Sequence, residues 1–150
     1  MSEILKFFIA GQWTTGTGKP FTTINPATGE EIATIGGASE ADINTAVTGA
    51  IKALNTADWC DLKPHARAKI LYQIGELIDE DADNLSQIQT SDNGKTIRES
   101  RNQIASAADC FRYYAGICET LEDTVTPSRG DYLSIAVSEP IGVVGLITPW

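Results

Sequence analysis

The sequence predicts a mixed α/β chain, and three observations carry that reading. Short runs rich in Phe, Ile, Thr and Trp, broken by Gly, Pro and Asn, fill residues 7–35. Stretches with apolar residues at helical spacing follow over residues 39–119. The chain closes on an alternating segment and then a continuous apolar run, Ile141-Gly142-Val143-Val144-Gly145-Leu146-Ile147, ended by Thr148-Pro149-Trp150. Strands followed by helices and then strands again are the pattern of an α/β architecture.

Taken in order, Phe7-Phe8-Ile9-Ala10-Gly11-Gln12-Trp13 reads as a strand and Phe21-Thr22-Thr23-Ile24 as its return, with a Gly/Thr-rich turn between them. Asn25-Pro26-Ala27-Thr28-Gly29-Glu30 is a tight turn, in which Pro26 presets φ and Gly29 supplies a positive one. A third strand over 31–35 completes an antiparallel meander. Ser39 is a good N-cap, with Glu40 and Asp42 at the positive end of the first helix dipole. Ile43, Val47, Ile51 and Leu54 keep helical spacing, and Trp59 and Cys60 fall in the connector. Pro64 opens a second helix whose stripe is Ala66, Ile70, Leu71, Ile74, Leu77 and Ile78. Acids at 79–83 mark a break, and a third helix stops at Asn93-Gly94. The fourth runs over 96–119 with Ile104, Ala107, Ala108, Phe111, Ala115 and Cys118 on one face. Residues 122–127 and 132–139 then form a hairpin around Ser128-Arg129-Gly130-Asp131. The closing run is expected to be a strand buried on both faces, stopped by Pro149. Ligands of open α/β sheets bind just past such strand ends.

Bulk properties narrow the function. Eleven basic against twenty acidic residues leave a net charge of −9, which argues against nucleic acid or an anionic membrane as partner. Lys6 and Glu3 interrupt the amino-terminal apolar residues, so no secretory signal is read, and nothing approaches the roughly 18 apolar residues of a membrane span. Cys60, Cys110 and Cys118 are an odd count without a Cys-x-x-Cys pair, which suits free thiols and a cytoplasmic location. Cys110 and Cys118 are expected in the core and Cys60 in packing.

Candidate chemistry is sparse. His65 is the only histidine, beside Pro64 at a helix start, and reads as a solvated surface ring. Gly16-Thr17-Gly18-Lys19 and Asn93-Gly94-Lys95-Thr96 each end like a phosphate loop. Trp13 and Gln89 stand where the leading glycine belongs, so both are turns. Gly142-Val143-Val144-Gly145 is not a dinucleotide fingerprint, and no cysteine–histidine set has zinc spacing. The residues by themselves hold no self-sufficient active site.

Five stretches in this order carry a resemblance: Phe8-Ile9-Ala10-Gly11-Gln12-Trp13, Asn25-Pro26-Ala27-Thr28-Gly29-Glu30, Asp92-Asn93-Gly94-Lys95, Arg112-Tyr113-Tyr114-Ala115-Gly116, and above all the run from Glu139-Pro140 to Pro149-Trp150. Together the sequence resembles the amino-terminal third of the aldehyde dehydrogenase superfamily, nearest the betaine-aldehyde and semialdehyde dehydrogenase branch. The resemblance implies the first part of a Rossmann-like cofactor domain over 1–122 and 142–150, with 123–141 a protruding hairpin arm that joins a homo-dimer or homo-tetramer. It implies oxidation of a small aldehyde to a carboxylic acid with NAD or NADP, through a cysteine thiohemiacetal that a glutamate-activated water resolves. The nucleophile, that glutamate, the ribose-holding residues and an oxyanion-hole asparagine all match positions beyond Trp150, so the catalytic domain is absent from residues 1–150 and this stretch alone is expected to be inactive. Ile147, Thr148, Pro149 and Trp150 match the segment whose backbone lines the cofactor. Thr23, Ile24 and Asp92 match positions that hold a structural K+ or Na+ in some members; the alternative for Asp92 is an ordinary capping role. Arg67, Arg112, Tyr113 and Tyr114 match structural positions expected to pack. A second reading from another class is a truncated, non-catalytic module that associates through its hairpin edge.

Overall fold

The computed structural model describes residues 4–148. Strands β1 (Phe7–Ile9) and β2 (Gln12–Thr14) pair antiparallel with Phe8 opposite Trp13. Their two-residue turn is Ala10-Gly11, with φ of 50° and 84°. Positive φ at both central positions is the turn whose twist matches a right-handed strand pair. Phe8 and Trp13 meet edge to face across the pair, with ring centroids 5.3 Å apart.

The expected meander is not formed. Strand β3 (Gly18–Ile24) pairs only with β4 (Glu31–Gly37), and β2 does not reach it. Two local facts explain the split. Pro20 lacks an N–H, and the β3–β4 register shifts between Gly18 and Phe21, which bracket it, so β3 keeps an open edge. The far edge of β4 is taken by Leu5, whose N–H donates to the Thr34 carbonyl at 2.9 Å and whose carbonyl accepts from Gly36 at 3.0 Å. Gly36 and Gly37 permit this crowding: a Cβ on either would collide with the carbonyl oxygens of Thr15 and Lys19 respectively.

The 25–30 turn forms as expected, with Gly29 at φ 74° and its N–H donating to the Asn25 carbonyl at 2.8 Å. Helix α1 (Glu40–Leu54) starts in a capping box: Ser39 Oγ accepts from the Asp42 N–H, and the Asp42 carboxylate accepts from the Ser39 N–H at 2.8 Å. The expected connector contains a one-turn helix, α2 (Ala57–Cys60). Helices α3 (Pro64–Glu80) and α4 (Ala82–Asn93) are separated at Asp81, and α4 ends on Gly94 at φ 76°. Helix α5 (Ile97–Thr120) is capped by Thr96 and Glu99. Strands β5 (Thr124–Thr126) and β6 (Ser134–Ala136) make the predicted hairpin, and Asp123 closes its base by accepting from the Ser138 N–H at 2.9 Å.

The most extensive packing is α3 against α5 and then α4 against α5. The helices approach closely because small residues face each other: Ala68 and Gly75 of α3, Ala108 and Ala115 of α5, with Ser86 and Ser100 buried beside them. Ser100 Oγ and Thr90 Oγ1 lie 2.9 Å apart, and Ser86 donates to the Ala82 carbonyl at 2.6 Å, so neither buried hydroxyl is orphaned. Arg112 ties α5 to Asp79 of α3. Tyr113 and Tyr114 do not pack inside; they stand exposed, ring edge to ring face at 5.3 Å. Cys110 is also exposed rather than in the core, Cys118 is half-buried, and Cys60 is exposed. At about 100° per residue, Cys110 stands about 200° around α5 from Ala108, on the side away from α3.

The closing run departs most from expectation. Residues 141–148 form no strand, and Ile141, Leu146 and Ile147 are 97%, 86% and 100% exposed. An apolar run becomes a buried strand only where neighbouring strands take its hydrogen bonds and helices cover its faces. Among the described residues, no strand lies beside it.

Candidate functional site

The structure brings two of the three predicted cation residues together. Asp92, in the last turn of α4, accepts a hydrogen bond from the Thr23 hydroxyl of β3. This bond spans sixty-nine residues of sequence, so the Asp92 side chain joins sheet to helix instead of capping its own helix. Ile24 follows Thr23, and the β3–β4 register shifts between them, the kind of irregularity that turns backbone groups out of a ladder. Local sequence explains why these ends meet. Gly94 stops α4 in the left-handed region, and a Cβ there would stand 2.8 Å from Pro26 Cγ, so the 25–30 turn seats directly on the helix end. Beside Asp92 runs a groove of about 470 Å³ between β4 and α4, lined by Leu5, Ile32, Ile35 and Ile88, with Asn84 and Gln87 at its polar side. One carboxylate, one hydroxyl and irregular strand backbone fit a hard monovalent cation, which takes oxygen ligands. They do not fit zinc, and no cluster of three or more His, Cys, Asp or Glu side chains occurs among the described residues.

The cofactor residues are less defined. Ile147 and Thr148 lie at the exposed end of the 141–148 segment, and neither meets Thr23, Ile24 or Asp92 in a hydrogen bond. Pro149 and Trp150 lie outside the described residues. His65 is exposed at the start of α3, as expected of a solvated ring.

Two arrangements escaped the sequence reading. The first is a knot at the start of α1, where Thr17 of the β2–β3 loop donates to Asp42 through both its N–H and its hydroxyl, each at 2.8 Å. The Ser-x-x-Asp spacing signals the cap, but nothing local signals Thr17. The second is a cavity of about 450 Å³ bounded by Leu54, Trp59, Cys60, Arg67, Pro140 and Gly142. There the Arg67 guanidinium lies over the Trp59 ring, 5.7 Å from its centroid, and Nη2 donates to the Leu62 carbonyl at 3.3 Å. Partial desolvation and the neighbouring Asp61 push the Cys60 thiol up from its ordinary value, which disfavours a reactive thiolate.

Comparison with known proteins agrees with this layout. The model of the aldehyde dehydrogenase family matches residues 13–150. Betaine aldehyde dehydrogenase of Bacillus subtilis (strain 168) is 36% identical across 100% of this chain and 31% of its own length. An aldehyde dehydrogenase of Aspergillus niger is 37% identical over 97% of this chain and 29% of its own. The NAD+ complex of aldehyde dehydrogenase from Bacillus cereus superposes with a TM-score of 0.83 at 34% identity, covering 87% of this chain and 27% of that one. The chain thus spans about three tenths of the length of the curated relatives it matches. The family match covers most of the chain, and the chain belongs to the aldehyde dehydrogenase family.

Proposed function

We propose that this chain is the amino-terminal part of an NAD(P)-dependent aldehyde dehydrogenase that converts a small aldehyde to a carboxylic acid. The observation that carries the reading is the family match over 13–150, joined to the structural likeness to an NAD+-bound relative. In the whole enzyme, residues 1–122 and 142–150 contribute to a Rossmann-like cofactor domain, and 123–141 form an arm lent to a neighbouring subunit. The nicotinamide cofactor, when bound, supplies the hydride acceptor. The contribution of this chain is to present backbone at Ile147 and Thr148 as a rim for that cofactor, and to brace the β3–α4 junction at Thr23, Ile24 and Asp92, residues that would hold K+ or Na+ and whose bound charge would steady that junction. Neither role moves a proton, in keeping with a nucleophilic cysteine and a base that lie in the remainder of the enzyme. Three free thiols support a reducing, cytoplasmic setting.

The test is an oxidation assay on two proteins. The product of the complete reading frame should form NADH from an aldehyde, and purified 1–150 should form none. A reading frame that ends at Trp150, or NADH production by 1–150 alone, overturns the proposal. The exposed, unpaired edges of the β5–β6 hairpin favour a second reading, association without catalysis. That reading gains if the frame ends at Trp150 and sedimentation still shows dimers.

A further inference from the structure

We propose that Asn93-Gly94 is a deamidation site whose rate is set by the end cap of α4, so that the β3–α4 junction governs how fast the chain ages chemically there. It is the one Asn-Gly pair in the sequence. Asparagine is thermolabile, and before glycine it is most open to attack because no side chain shields the next backbone nitrogen. That nitrogen, once it gives up its proton, bonds to Cγ of the asparagine and closes a succinimide ring. The Cγ–Nδ2 bond breaks, and ammonia leaves with the proton. Water then opens the ring: cleavage of the N–Cγ bond leaves aspartate, and cleavage at the main-chain carbonyl leaves isoaspartate. No oxidant or reductant enters. The folded chain prepares one half of this reaction and blocks the other. Asn93 Oδ1 accepts from the Lys95 N–H at 2.9 Å, which draws electron density from Cγ. The Gly94 N–H donates to the Thr90 carbonyl at 3.0 Å, at the end of α4. A nitrogen donating in this way keeps its proton, so reaction waits for the cap to open. Three contacts hold it shut. Asp92 accepts from Thr23, which ties the last turn of α4 to β3. Pro26 covers Gly94, where a Cβ would stand 2.8 Å from Pro26 Cγ. Lys95 Nζ donates to Gln103 Oε1 at 2.9 Å, and the same oxygen accepts from Gln89 Nε2 at 2.7 Å, so the residue after the cap is moored to α5. Either product puts a carboxylate at the negative end of the α4 dipole, next to Asp92 in sequence. Isoaspartate also adds a carbon to the main chain, which moves Gly94 off Thr90 and loosens the junction that had slowed the reaction.

The experiment uses the enzyme from the complete reading frame, held at pH 8 below its melting temperature, with a free peptide of residues 89–99 as the unfolded reference. Peptide mass spectrometry follows the change from amide to acid at Asn93. The folded enzyme should convert at least about tenfold more slowly than the peptide, since opening of the cap precedes reaction. Thr23→Val removes the hydroxyl that holds Asp92 and should raise the enzyme's rate at least about threefold. Hydrogen exchange at Gly94 and Lys95 should quicken with it, while exchange in α3 does not. Conversion in the enzyme as fast as in the peptide overturns the proposal, as does no conversion in the enzyme and Thr23→Val alike. An unchanged rate in Thr23→Val overturns it too. A faster rate with equal quickening of exchange in α3 marks global unfolding and overturns control by the junction. Should Thr23→Val fail to fold, Gln103→Ala frees Lys95 on the other side of the cap, and an unchanged rate there overturns the proposal.

Discussion

One oxygen atom, Oδ2 of Asp42, accepts from the N–H and hydroxyl of Ser39 and from the N–H and hydroxyl of Thr17, all within 2.9 Å. These donors, the Ser39 N–H first, hold the carboxyl well below the usual aspartate range. Because the folded-state value is depressed, the unfolded chain binds the extra proton first. The contribution is fully present above the ordinary aspartate pKa of about 3.9 and is lost progressively as pH falls from there through the lower folded-state value. Thermal melts of Asp42→Asn should therefore show a lower Tm than wild type at pH 7 and a shallower drop toward pH 3. Some slope remains, since Glu99, held low chiefly by the Thr96 hydroxyl and then its N–H, titrates in the same direction. Gly37 supplies a purely steric counterpart. Gly37→Ala drives a methyl into the Lys19 carbonyl and should cost about 1–3 kcal/mol, read as a lower urea midpoint.

Among elements, the α3–α5 contact is the most extensive, and Gly75 sits buried within it. A Cβ there would meet the Ala108 carbonyl oxygen at 3.1 Å and Arg112 Cγ at 3.3 Å. Gly75→Val should separate the helices and lower stability by about 1–3 kcal/mol, seen as a shifted denaturant midpoint with an unchanged slope. The helices were largely legible because their signals are local: Ser39 and Asp42, Pro64, and Asn93-Gly94 each act within one turn. The strands were legible as segments but not as partners. Which edge β4 offers depends on Leu5, some thirty residues away, and on Pro20, which spoils β3 for a third neighbour. The same limit governs the candidate sites. The resemblance groups Thr23, Ile24 and Asp92, and the structure joins Thr23 to Asp92 by a hydrogen bond. The Arg67–Trp59 contact and the cavity beside it left no sequence signal, because a cavity is a property of elements brought from afar. The 141–147 run was read as buried from apolarity alone, yet burial needs partners that composition does not encode.

For the molecule as a whole, the unpaired apolar surface predicts its solution behaviour. Ile43, Val47 and Ile51 present one uncovered face of α1, and the 141–147 run adds Leu146 and Ile147. Such surface binds hydrophobic dyes and promotes association, opposed here by a net charge of −9. Purified 1–150 should bind such a dye and sediment as larger species when salt screens the charge, and the pair Leu146→Glu and Ile147→Glu should reduce both. The interior has its own thermodynamic signature. The fully buried side chains among the described residues are three alanines and two serines, and none is larger. Melting such a body wets little new hydrocarbon, so its heat-capacity step should fall below the usual ~12–15 cal/mol/K per residue. Its curve of free energy against temperature would then be a low, broad arch, nearly as indifferent to cooling as to mild warming.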